Sequence, residues 1–392
     1  MKVLLLVCDS FGVGAAPDAP AYGDEGADTI GNTARAVGGI DAPNLADLGL
    51  GLLTEAPGIP PGAGAGTAHG TATERSAGND TTTGHWEICG LILDRPFPTY
   101  PDGFPPEVIE PFERAIGLEV LGNRPASGTD IIEELGEEHF GTGRPIVYTS
   151  GDSVFQIAIH KDVVPLDTLY EWCRVARGIL DGEHRVGRVI ARPFVGRPGA
   201  FTRTHERRDY SVEPPGPTYL DRIRDGGVPV YGVGKIPDIF AGRGLTESRH
   251  TESNDHGVDV TIEYLRRGPD LLVFTNLVDF DTKYGHRSDP PGYARCVEDF
   301  DRRLPELRAA VGERGVLVLT GDHGCDPTDE STDHTRERTP VLVAGGGLGS
   351  RDPVDLGTRA TFADIGATVA HLFGIGDDHL AGASFAPELG LR

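Results

Sequence analysis

Short apolar runs recur along the chain without internal alternation: residues 3–8 (VLLLVC), 228–233 (VPVYGV), 271–278 (LLVFTNLV), 316–319 (VLVL) and 341–344 (VLVA). Runs of this length, rich in β-branched residues, suit strands buried on both faces. Stretches with helical spacing follow or separate them, over 44–48, 254–267, 295–311 and 361–373. Strand and helix in alternation predict an α/β fold, a mostly parallel sheet flanked by helices. Residues 56–79 are rich in Gly, Pro, Ala and Thr and read as irregular.

The stretch 97–212 has a different texture. Prolines 96, 98 and 101 open it, and prolines 214, 215 and 217 close it. Inside are an amphipathic helix over 166–180, two strand pieces within 144–160 around Ser150-Gly151-Asp152, and a strand over 186–194. On that strand Arg188 and Arg192 share one face. This is a segment inserted between 1–96 and 213–392.

Composition narrows the partners. The 392 residues carry a net charge of −24, which opposes nonspecific nucleic-acid binding and requires any phosphate site to bring its own local positive charge. No window approaches a membrane span, and MKVLLLVCDS lacks the longer apolar stretch of a signal peptide. Five cysteines without paired spacing suit a reducing, cytoplasmic setting.

The chemistry gathers where strands stop. Three apolar runs each end in an aspartate: Asp9, Asp281 (or Asp279) and Asp322. In a parallel sheet the residues just beyond the carboxyl ends share one edge. His286 lies five residues after Asp281, His323 directly follows Asp322, and His334 lies on the loop beyond. One Asp–His pair is most often a solvated turn. Three acids with three histidines point to a divalent metal site, binuclear by its number of ligands, with oxygen and imidazole donors suited to Mn²⁺ or Zn²⁺. Asp9-Ser10-Phe11-Gly12 reads as a tight turn whose glycines allow close approach. Asn79-Asp80-Thr81-Thr82-Thr83-Gly84-His85 reads as a helix N-terminus offering amides to an anion.

Seven pieces run in order along almost the whole chain: CDSFGVG, GNDTTTGHWEICG, YTSGDSVFQIA, VGRVIARPFVG with FTRTHERRDY, NLVDFDTKYGHRSDP, TGDHGCDPTDESTDHTRERTP and TFADIGATVA. Together they resemble the phosphopentomutases, metal-dependent mutases of the alkaline-phosphatase superfamily. The resemblance implies an alkaline-phosphatase-like core, 1–96 and 213–392, with 97–212 as an inserted α+β cap. It implies that Asp281, His286 and His334 hold one Mn²⁺, and that Asp9, Asp322, His323 and the Thr81 oxygen hold the other. Thr81 matches the phosphorylated position. Asp152 would bind the sugar, with Arg188, Arg192, Arg203 or Lys235 on phosphate. The implied reaction interconverts (deoxy)ribose 1-phosphate and 5-phosphate through a 1,5-bisphosphate, primed by a sugar bisphosphate such as glucose 1,6-bisphosphate. Rival readings keep the metals and change the acceptor (a phosphatase, phosphodiesterase or phosphoglycerate mutase), or keep binding without turnover. Asn32 departs from the pattern, where a His is expected, and Cys325 beside the metal loop is expected to be oxidisable.

Overall fold

The computed structural model describes residues 1–151, 153–349, 351–376 and 379–391. They form two compact units, Met1–Pro96 with Pro214–Arg392, and Phe97–Glu213. In chain order the first unit opens with β1 (Lys2–Cys8) and β2 (Thr67–Ala72). The inserted unit holds β3 (Leu121–Pro125), β4 (Ile146–Thr149), β5 (Val154–His160), β6 (Arg188–Val195), β7 (Thr202–Arg203) and β8 (Arg208–Ser211). The first unit resumes with β9 (Val230–Val233), β10 (Glu247–Arg249), β11 (Leu271–Leu277), β12 (Val316–Thr320), β13 (Thr339–Gly345) and β14 (Val354–Arg359).

The first unit's strands form one sheet in the order β10-β9-β11-β1-β12-β13-β2-β14. Only β13 runs against its neighbours, antiparallel to β12 and β2; the other pairs are parallel. The five apolar runs are β9, β13 and the three central strands β11, β1 and β12. Every residue of β11 and β12 is buried, as unbroken apolar runs require. On one face Leu4, Leu6, Val273, Leu317 and Leu319 pack into a single core with residues of helices Asn254–Leu265 and Pro290–Val311.

β2 falls inside 56–79, the stretch expected to be irregular. Its sequence, Thr-Ala-His-Gly-Thr-Ala, has no apolar run, yet all six residues are buried. Small side chains let its neighbours close in. A Cβ on Gly70 would lie 2.5 Å from the carbonyl of Gly357 in β14. Closeness of backbones, not hydrophobicity, makes this a strand, and local composition does not reveal it.

Helix Thr81–Ile88 is seated in the same way. A Cβ on Gly84 would lie 2.2 Å from the Asp322 carbonyl, and one on Gly366 2.1 Å from that of Ile88. The helix therefore rests directly on the end of β12.

In the inserted unit, β3-β4-β5-β6-β7 form a second sheet, with β8 also on β6. Val147, Ile157, Val189 and Ala191 pack with helices Pro106–Ile116 and Leu166–Ile179. Ile146, Tyr148, Ala158 and Phe194 pack with helix Gly128–Thr142. Among the described residues no helix is long and apolar enough to cross a membrane.

Candidate metal centre

β11, β1 and β12 lie side by side, and register pairs Cys8 with Leu277 and Val7 with Thr320, so the three strands end nearly level. Asp9 follows β1 directly. Its neighbour Ser10 takes the left-handed conformation at φ 67° and points its amide at Asp322 Oδ1, 3.1 Å away. The turn thus falls on Ser10. Gly12 serves space instead, since a Cβ there would lie 2.2 Å from the Glu337 carboxylate. Beyond β11 a π-helical turn, Phe280–Tyr284, carries Asp281; such turns are rare and often functional. The alternative, Asp279, is engaged elsewhere, accepting from the Asn254 amide (3.0 Å) and Lys283 (2.9 Å).

Two sets of donors converge, each with one ligand atom per residue and all of these within 4.8 Å of one another: Asp281, His286 and His334, and Asp9, Asp281 and His323. They share Asp281. Asp322 stands beside the second set, its Oδ2 3.4 Å from His323 Nε2, but that oxygen also faces His85 Nδ1 at 3.1 Å.

The donor chemistry fits a divalent cation. Each candidate imidazole has Nδ1 within hydrogen-bond distance of a backbone carbonyl: His286 at Thr332 (2.6 Å), His323 at Gly324 (2.9 Å) and His334 at Asn79 (3.0 Å). Donation from Nδ1 leaves the Nε2 lone pair facing inward. His286 and His334 approach Nε2 to Nε2 at 3.2 Å, an arrangement two lone pairs do not favour without a cation or a proton between them. Asp9 Oδ1, Asp281 Oδ1 and Asp322 Oδ2 are buried and face histidine nitrogens at 3.1 to 3.5 Å without a well-formed hydrogen bond. Such orphaned carboxylate oxygens are costly unless a cation faces them.

Charge within the cluster follows from these contacts. The Asp281 carboxylate, 3.3 Å away, pushes His286 up to about 11. Burial works to raise Asp281, but His286 and His334 outweigh it and hold it well below the usual range. Burial likewise works to lower His323, and the Asp322 and Asp9 carboxylates outweigh it, so its pKa is raised.

Of the three candidate threonines, Thr81 has its Oγ1 3.2 Å from His323 Nε2. Thr83 instead donates to Asp80 Oδ2 at 2.5 Å. Two of the amides expected to be open at the helix N-terminus are taken. Asp80 Oδ1 already accepts from the Thr82 and Thr83 amides at 3.0 and 3.1 Å, as an N-cap.

Three contributors were not singled out from sequence. Asn79 grips His334 twice, its carbonyl facing Nδ1 and its Nδ2 donating to the His334 carbonyl at 3.1 Å. Asn276 Nδ2 donates to Asp9 Oδ2 at 3.2 Å. His85 is fully buried between the Thr81 carbonyl (2.9 Å) and Asp322. Its spacing of four from Thr81, one helical turn, was the available signal.

Lys235, expected on phosphate, lies 3.4 Å from Asp9 Oδ2. Asn32 donates to Asp326 Oδ2 (2.6 Å) and accepts from Arg35 (2.7 Å), which gives it a structural place. Cys325 is 1 % exposed, and burial pushes its thiol up, so the expected oxidation sensitivity does not follow. Within the inserted unit Arg188 pairs with Asp209 at 3.6 Å, Arg192 Nε donates to Gln156 at 3.0 Å, and Arg203 is exposed on β7. Asp152 lies outside the described residues.

Comparison with known proteins decides the family. The chain is 57% identical to the phosphopentomutase of Anaeromyxobacter dehalogenans, across 99% of this chain and 98% of that one. It is 54% identical to that of Caldanaerobacter subterraneus, across 100% and 98%. The chain belongs to the phosphopentomutase family. These are isomerases, and the model of the Metalloenzyme superfamily matches residues 1–377. A solved protein of Pyrococcus horikoshii, 17% identical, superposes over 97% of this chain and 98% of that one with a TM-score of 0.50, a likeness of fold. The α/β architecture, a mostly parallel sheet with a second unit inserted, is as expected from the sequence.

Proposed function

We propose that this chain interconverts ribose 1-phosphate and ribose 5-phosphate, or their deoxy counterparts, with Thr81 as the phosphate carrier. One observation carries the reading within the family: the Thr81 hydroxyl stands 3.2 Å from His323, at the edge of paired donor sets. Asp281, His286 and His334 would hold one Mn²⁺, and Asp9, Asp322, His323 and Thr81 the other, with Asp281 standing where both donor sets meet. Bound metal would lower the pKa of the Thr81 hydroxyl and offset charge on the transferring phosphoryl group.

The chain's own residues supply the rest. Asp80 orders the turn that presents Thr81. Phospho-Thr81 gives its phosphoryl group to the free C-1 or C-5 hydroxyl, which loses its proton, and a 1,5-bisphosphate forms. The bisphosphate turns end for end. Thr81 Oγ1 then takes the other phosphoryl group as its ester bond to the sugar breaks. Arg188, Arg192, Arg203 and Lys235 are proposed as ligands of the non-reacting phosphate, where a planar fork or a point charge suits, and Asp152 as a sugar ligand. The inserted unit would thus contribute to substrate binding. A bisphosphate such as glucose 1,6-bisphosphate would prime Thr81. The cysteines, all free and buried, suit a cytoplasmic setting.

With Mn²⁺ and catalytic bisphosphate, ribose 5-phosphate should convert to ribose 1-phosphate without net release of inorganic phosphate. Release without isomerisation would make the chain a hydrolase.

Metal uptake should depend on pH in a definite direction. His286 in the metal-free fold is raised from 6.5 to about 11, so its proton stabilises that fold fully below about pH 6.5 and is lost only as pH rises through about 11. A metal ion must displace that proton. Apparent affinity should therefore gain about tenfold per pH unit for each proton released. Competition against a chelating dye at pH 6 and pH 8 checks it; equal affinities would show that no proton is displaced.

A further inference from the structure

Arg336 lies two residues beyond His334 and is 2 % exposed. Its guanidinium has no unused donor. Nε reaches both Asp18 oxygens at 3.2 Å, and Nη2 donates to Asp18 Oδ2 (3.0 Å) and the Glu74 carbonyl (2.8 Å). Nη1 donates to Glu74 Oε2 and to the Gly78 carbonyl, both at 2.7 Å. One side chain thereby holds the first and last residues of the segment 74–78. Asn79, next in the chain, is hydrogen-bonded twice to His334. Asp80 then caps the helix that begins at Thr81.

The main chain of Arg336 is anchored as well. Its amide donates to Asp24 Oδ2 at 2.7 Å, and its carbonyl accepts from the Ala16 amide at 3.0 Å. The next residue, Glu337, accepts from the Thr29 amide (2.9 Å) and hydroxyl (2.6 Å). The clamp therefore starts from a fixed base and reaches toward the segment that leads into Thr81.

Stability alone does not call for this arrangement. A buried ion pair costs much desolvation, and well-packed apolar residues often do as well. What a fully satisfied planar fork supplies is a single geometry. The segment it holds delivers Thr81, and the segment it belongs to delivers His334.

We infer that Arg336 is a positioning residue for phosphoryl transfer, pinning the approach to Thr81 against the segment that follows His334. The inference rests on the reading of Thr81 as phosphate carrier. Lysine in its place keeps a positive charge near Glu74 and Asp18 but has no fork to span five acceptors.

Arg336→Lys, loaded with Mn²⁺, should show kcat reduced about 100-fold, the loss expected of a misplacement near 1 Å. KM and bound metal should stay near wild type. The rate at which bisphosphate phosphorylates Thr81 should fall by the same factor. Asp18→Asn relaxes only the outer side of the clamp, at a half-exposed residue, and should lower the same two rates several-fold with the fold intact. It carries the test if Arg336→Lys does not fold. Wild-type kcat and phosphorylation rate in the folded variants, with only a lowered Tm, would overturn the inference and leave a structural ion pair. Phosphate mapped to another residue in the wild-type protein would overturn the Thr81 reading first, and this inference with it.

Discussion

Thr81→Val should abolish turnover, by about 10⁴-fold or more, while both metal ions stay bound. Valine keeps the shape of threonine and removes only the hydroxyl. The flanking threonines offer no ready substitute. Thr83 is buried and its hydroxyl is committed to Asp80. The Thr82 amide is tied to the same carboxylate, which fixes the backbone from which that side chain projects. A mass spectrum of the bisphosphate-treated wild-type protein should place the phosphate on Thr81. An active Thr81→Val variant phosphorylated at Thr82 or Thr83 would reassign the nucleophile.

Asp281→Asn should lose both ions together and lower activity by about 10³-fold or more, since it removes the one charge common to both donor sets. The mutation also strips the anion that His286 and His334 face at 3.3 and 3.5 Å. His286→Gln, by contrast, touches only one set and should leave close to one equivalent of metal. Metal analysis after dialysis separates the two cases. Two equivalents retained in Asp281→Asn would show that the sets do not share this residue.

Much of the first unit was legible because its signals are local. An apolar run four to eight residues long has few fates in a large soluble chain, and an acid at its end lands on one edge whatever the strand order. Asp9, Asp322, the three histidines and an acid at either 279 or 281 were legible on that ground. The family resemblance then singled out Thr81. Its contact with His323 and the commitment of Thr83 to Asp80 separate it from its neighbours structurally.

Other features depend on partners far away in sequence. β2 is a strand because Gly70 admits the backbone of β14. The amides at the start of helix Thr81–Ile88 belong to Asp80, because a short side chain in the N-cap position reaches them first. Asp281 rather than Asp279 joins the cluster because one π-helical turn aims it there while Asn254 and Lys283 take the other.

The sequence by itself determined an α/β core, an inserted segment, and a candidate metal-binding edge where the central strands end, because hydrophobic periodicity and strand-end acids are properties of neighbouring residues. Only the tertiary structure decided how that edge is held. Asn79 meets His334, and Arg336 meets Glu74 and Asp18, across more than 250 residues. Such pairings are set by which strands lie side by side, and strand order leaves no trace in local pattern.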